Sequence, residues 1–245
     1  MTQDPVLYSE ARDIARITLN VPRRKNALTA EAINELAKAW ARFEAGPAQV
    51  AILTGSDGSF CAGLDLETLP DPAPAVPGIG ADVTKPVIAA ISGPAVGLGL
   101  TLTMQADLAV ADNTAFFRYP ESQIGFTGGL IAGLAARVTT KSANEILFLG
   151  ERIDAKRAAE IGLINNVVTP EKLMDRAEEM AGIIAGSAPM VIRALKQEMN
   201  AVVPASPAQT SGQFRARMSR IADSADRKEG LAAFREKRRP KFTGE

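Results

Sequence analysis

The sequence predicts an α/β fold, with a β-β-α rhythm over the first two thirds and helix over the last third. Three observations carry this. Strand-like alternation at residues 15–19 and apolar runs at 50–54 and 87–91 mark buried strands. Ile33, Leu36, Trp40 and Phe43 fall on one face of a helix. After residue 170 the apolar spacing is helical throughout. The chain has 245 residues, 46% hydrophobic and 23% charged, which suits one large globular core.

In order, residues 6–20 read as a hairpin, with Ala15, Ile17 and Leu19 pointing inward. VPRRKNALT is a loop, and Thr29 is a candidate cap for a helix over 30–44, stopped by Gly46 and Pro47. VAILT at 50–54 is a buried strand, and FCAGLDL at 60–66 is a small-residue turn leading towards a helix. Five prolines (Pro70, Pro72, Pro74, Pro77, Pro86) make 68–86 a loop with little helix. VIAAI at 87–91 is a strand, SGPAVGLGL a glycine-rich turn, and 97–106 an apolar helix. Strands follow at 107–111 and 115–118, then a stretch with four glycines at 125–133. Helices are expected at 141–149 and 155–160, and a strand at 165–168. Leu173, Ala177, Met180 and Ile184 share one helical face, and Val191, Leu195 and Met199 another. Two more helices are expected at 207–223 and 227–237. Residues 1–185 thus form a core and 186–245 a helical region of the same structural unit.

Composition excludes much chemistry. There is no histidine, so a Ser-His-Asp triad, His-ligated metal sites and imidazole acid/base catalysis are all absent. One cysteine allows no intrachain disulfide and no cysteine metal cluster. Lys plus Arg equals Asp plus Glu at 28 each, without the basic excess of a nucleic-acid binder. The segment 227–241 carries seven basic residues against Glu229 and Glu236, a local +5 that leaves about −5 elsewhere. The N-terminus lacks the basic start and apolar run of a signal peptide, and no apolar stretch reaches membrane-spanning length. A cytoplasmic enzyme with no membrane or nucleic-acid partner is expected. Carboxylates, hydroxyls, lysines and backbone amides are left to do the chemistry.

Gly97-x-Gly99 lacks the third glycine of a dinucleotide loop, since position 102 is Leu, and the chain opens on a hairpin. A nicotinamide-dependent oxidoreductase is therefore disfavoured. Two strand-turn-helix junctions stand out instead, LTGSDGSFCAGLDL at 53–66 and IAAISGPAVGLGL at 88–100. Helix starts offer unpaired N–H groups, and two aimed at one point would hold a developing oxyanion. The bland alternative is that both are packing turns.

NALT, FCAGLDL, KPVIAAISGPAVGLGL, the Pro-Glu pair at 120–121 and the ending FREKRRPKFTGE together resemble the crotonase superfamily of enoyl-CoA hydratases and isomerases, from about residue 6 to the end. The resemblance implies a crotonase (ClpP-like) spiral of β-β-α units, a C-terminal helical trimerisation region, and a homotrimer or dimer of trimers acting on acyl-CoA. It implies no cofactor beyond the CoA of the substrate and no metal. The oxyanion hole would be the backbone N–H groups of Leu64 and Leu98. Hydratases of this type use two glutamates; the second falls on Glu121, whereas the first position is Thr101. The position eight after Glu121, used by some relatives for a carboxylate, is Gly129. For CoA the resemblance points to Arg24, Lys25, Ala27 and Leu28 and to Ala62, Asp65 and Leu66, with Asp65 also a helix-start cap. The basic tail is a candidate for the CoA phosphate, or else a solvated face. Cys61 reads as a small packing residue. One glutamate suits an enoyl-CoA isomerase with Glu121 as its single base; an enoyl-CoA hydratase and a non-catalytic acyl-CoA binder are the alternatives.

Overall fold

A computed structural model describes residues 4–127, 129–203 and 219–244. Its centre is a six-stranded sheet. Strands β1 (Val6–Ala11) and β2 (Ile14–Leu19) form the expected antiparallel hairpin. Parallel strands β3 (Val50–Gly55), β4 (Val87–Ile91), β6 (Leu108–Asp112) and β9 (Asn166–Val168) extend it in the order β1-β2-β3-β4-β6-β9. A smaller sheet holds β5 (Pro94–Val96), β7 (Phe116–Arg118) and β8 (Ile153–Asp154), with β5 and β7 parallel.

Both faces of the large sheet are covered, which is why its inner strands read as continuous apolar runs. Ile17, Leu19, Leu53, Ala89 and Ile91 face the main core, shared with helix α1 (Ala30–Ala45) through Ile33, Leu36, Trp40 and Phe43. Val50, Ile52, Ile88, Ala90 and Val110 face the other way. Leu173, Ala177 and Met180 of helix α5 (Leu173–Ala185) cover them. Helices α2 (Leu98–Gln105), α3 (Thr140–Asn144), α4 (Ala155–Glu160), α6 (Pro189–Val202) and α7 (Ala225–Arg235) complete the described elements.

Thr29 caps α1 as expected, its hydroxyl accepting the Ala32 N–H at 3.2 Å. At the other end the buried amine of Lys85 donates to the carbonyls of Phe43 and Gly46, at 2.8 and 2.7 Å. It satisfies the carbonyls that a helix C-terminus leaves open. The proline-rich loop packs without forming a long helix; Trp40 Nε1 donates to Ala75 O at 2.9 Å and anchors it.

Three expectations are corrected, and one shared helical face is placed in solvent. FCAGLDL does not lead into a helix: Cys61 and Leu64 form isolated bridges to Ala95 and Leu28. The glycine-rich turn contains strand β5, too short to show a period. The helix at 141–149 divides: α3 ends at Asn144 and a π turn spans Glu145–Leu149, closed by Gly150 at φ +60°. The face of Val191, Leu195 and Met199 on α6 is solvent-exposed. The helix expected over 207–223 lies largely outside the described residues.

Candidate active site

Three chain segments are stitched side by side. Leu28 N–H donates to Gly63 O at 2.8 Å and Asp65 N–H to Leu28 O at 3.0 Å. Both bonds flank Leu64, so the Leu64 N–H itself is turned out of this ladder. Cys61 N–H donates to Pro94 O at 2.8 Å and Val96 N–H to Cys61 O at 3.0 Å, which lays the 61–64 segment along β5. Gly97, at φ +55°, follows β5, and Leu98 opens α2, where the first N–H groups have no helical acceptor. The approach is close: a Cβ on Gly99 would strike the Cys61 carbonyl. Leu64 and Leu98 are thus brought to neighbouring positions, each offering a main-chain donor.

The neighbouring strand brings the carboxylate. Gly97 N–H donates to Arg118 O at 2.9 Å, pairing the end of β5 with the end of β7. Three residues on, Glu121 starts a short 3₁₀ turn, Glu121–Ile124. Its Oε1 lies 2.6 Å from where a Cβ on Gly97 would sit, so glycine there makes room for the carboxylate. Oε2 is sealed from solvent and has no hydrogen-bond partner among the described residues. Loss of hydration pushes the Glu121 carboxyl up to about 8, against the pull of its own backbone and of the Arg118 guanidinium. Burial and the nearby Glu121 charge also raise the Tyr119 phenol, which meets Thr127 Oγ1 at 3.1 Å.

Thr101 sits one turn into α2, 2% exposed, and its hydroxyl donates back to Gly97 O at 3.3 Å. Gly129, at φ +72°, supplies no side chain. Cys61 is fully buried and its thiol is pushed up to about 12, so it is a packing residue in this environment.

The residues expected around CoA adjoin this site. Arg24 and Lys25 are exposed, while Leu28 is fully buried. Ala62 N–H is engaged by Lys25 O at 3.0 Å, and Ala27 N–H by Arg24 O at 3.1 Å. Leu66 is half-buried beside them. Asp65 caps no helix: it receives Thr68 Oγ1 at 3.1 Å and the Arg24 guanidinium at 3.2 Å. The basic tail folds back on α7, where Arg238 forms a two-point pair with Glu229.

Sequence reasoning missed two residues here. Asn26 is fully buried; its Oδ1 accepts Val21 N–H at 2.8 Å and its Nδ2 donates to Ser56 O and Ser59 O. It locks the 24–28 loop to the turn before Cys61, and its left-handed φ of +57° is a conformation asparagine tolerates. Arg118 was the other. A groove of about 570 Å³ does exist, but at the far end of α2, between Met104, Arg137, Leu163 and Lys196. Volume alone would misplace the site.

The chain matches the family model described as enoyl-CoA hydratase/isomerase over residues 9–75 and 80–245. It is 34% identical to (E)-benzylidenesuccinyl-CoA hydratase of Thauera aromatica, covering 98% of this chain and 99% of that protein. It is 35% identical to carnitinyl-CoA dehydratase of Proteus mirabilis, covering 94% and 95%. Among solved structures, carnitinyl-CoA hydratase from Mycobacterium avium superposes over the whole of both chains with a TM-score of 0.89 at 27% identity. Sequence and fold agree along the full length, and this chain belongs to the enoyl-CoA hydratase/isomerase family of the crotonase superfamily.

Proposed function

We propose that this enzyme forms and reprotonates the enolate of an acyl-CoA thioester with Glu121 as its single acid/base, and that it isomerises 3-enoyl-CoA to 2-enoyl-CoA. The observation that carries the reading is the desolvated Glu121 carboxyl beside Gly97, with a threonine in the first glutamate's position. The thioester oxygen would accept from Leu64 N–H and Leu98 N–H. Glu121 takes the proton from C2, the electrons of that bond move into the dienolate, and the proton returns to C4. Each comparable main-chain donor is worth roughly 3 kcal/mol to such a transition state. The chemistry needs no cofactor beyond the CoA carried by the substrate.

Thr101 cannot act as a base near neutrality, and its hydroxyl is already turned to a helix carbonyl. Hydration is the second reading, favoured by the hydratase and dehydratase relatives. Glu121 would then activate the water alone.

Turnover of a 3-enoyl-CoA and a 2-enoyl-CoA by the wild type and Glu121→Gln separates these readings. Isomerisation of the first, lost by about 10²–10⁴-fold in the variant, supports the proposal. Hydration of the second by the wild type alone replaces it with the second reading. Binding of both without turnover points to a non-catalytic acyl-CoA binder. Glu121 must be ionised to accept a proton, so kcat/KM should rise with pH up to about 8 and level off above it.

A further inference from the structure

The turn that carries Glu121 is tied down by a residue whose two ends face different ways. The Arg118 carbonyl holds Gly97 N–H, the residue ahead of Leu98. Its side chain runs to the other side of the turn, where Nε donates to Gly150 O at 2.7 Å and Nη2 to Gln123 Oε1 at 2.8 Å. Gln123 Nε2 donates in turn to Leu149 O at 2.9 Å. Leu149 and Gly150 close the π turn, and such turns cluster at functional sites. Glu121 lies three residues after Arg118 and two before Gln123.

Among the described residues no carboxylate lies within ion-pair distance of the Arg118 guanidinium; the partners above are neutral oxygens. Its positive charge pulls the Glu121 carboxyl down, more weakly than the turn's own backbone does. Of the other charged groups around this turn, Arg227 also lacks a carboxylate partner among the described residues, its Nη1 donating to Ala222 O and its buried Nε meeting no acceptor, and Arg152 lies over the Phe116 ring at 4.2 Å. On α7, the Asp226 carboxylate receives the N–H groups of Thr243 and Gly244, and Arg227 lies over the Phe126 ring at 5.6 Å. On the π turn, Glu145 is paired with Arg157 at 3.1 Å. Tyr119 is held neutral.

We propose that Arg118, braced by Gln123 and the π turn, is the positioning residue of Glu121: it fixes the carboxylate against Gly97 and keeps it ionisable in an apolar pocket. This rests on the reading of Glu121 as the base. It adds the group that lets one desolvated carboxylate serve without a second glutamate.

The test is a carboxyl titration by NMR on the full chain labelled with ¹³C-glutamate, with Glu121→Gln identifying the signal. The same variants are then assayed for 3-enoyl-CoA and 2-enoyl-CoA turnover against pH. The Glu121 midpoint should lie near 8 in the wild type. It should move up by about one pH unit or more in Arg118→Met and by less in Arg118→Lys. At pH 7 the Met variant should lose about tenfold in kcat with little change in KM, and recover above pH 9. An unmoved midpoint, with a loss of activity that is the same at every pH, would overturn the proposal and leave Arg118 a purely structural residue. Should Arg118→Met not fold, Gln123→Leu keeps the charge but frees it from its brace. An unmoved midpoint in that variant and in Arg118→Lys overturns the proposal equally. Full turnover by Glu121→Gln removes the base reading and the inference with it, an outcome visible without any Arg118 variant.

Discussion

Glu121 is costly to the fold for the same reason that suits it to the proposed role of base. Desolvation raises its carboxyl from 4.5 to about 8. Between those values the native chain retains a proton that the unfolded chain has released, so stability falls as pH rises through that window. Glu121→Gln has no such proton to lose. Its melting temperature should exceed that of the wild type by more at pH 9 than at pH 5, which differential scanning calorimetry would read. Each unit of the upward displacement is worth about 1.4 kcal/mol. Gly97→Ala tests the same contact from the opposite side. Its Cβ would press on the Glu121 carboxylate and strain a backbone at φ +55°. Kinetics should show kcat falling well below that of the wild type, with ~1–3 kcal/mol lost in denaturant unfolding. At this scale the sequence was legible only in part. Glu121 stood out through its Pro-Glu pair and the motifs around it. Asn26 and Arg118 did not, because their partners are backbone atoms some thirty residues away or side chains across a turn. No local spacing records such bonds.

The elements show where periodicity runs out. α1, β3 and β4 were read nearly to the residue because each repeats its pattern several times and is bounded by Thr29, Gly46 or Pro86. β5 and β8, of three and two residues, are too short to repeat anything. Their pairing is imposed by the chain that folds onto them. The π turn is equally silent, since its side chains still follow a helical face until Leu149. One contact between elements invites a test. α7 packs directly on the Glu121 turn, where a Cβ on Gly230 would strike the Ile124 carbonyl and one on Gly125 would strike that of Asp226. Both obstacles are backbone and cannot swing aside. Gly230→Ala should therefore destabilise by ~1–3 kcal/mol in urea titration and lower kcat by displacing the turn, though it lies far from Glu121 in sequence.

Across the whole molecule, the layered core was legible in the sequence. Apolar runs buried on both faces announced a covered sheet, and α1 and α5 cover it. α6 instead presents Met190, Val191, Leu195, Met199 and Val202 to solvent, with Met190 85% exposed. A monomer gains nothing from such a face, and a second copy could cover it. Sedimentation should give a trimer or hexamer, and Leu195→Glu with Met199→Glu should yield smaller species. A monomeric wild type would refute this reading of residues 186–245. Among the described residues no helix is long and apolar enough to cross a membrane.

The pairing of β5 with β7 has one more consequence. The two strands run parallel and end together, one in Val96 two residues before Leu98, the other in Arg118 three residues before Glu121. Neighbouring strands sit about 4.8 Å apart whatever their side chains are. In the proposed mechanism the backbone ladder thus helps to set the spacing of proton acceptor and oxyanion donor. A change of side chain along either strand would leave that spacing in place.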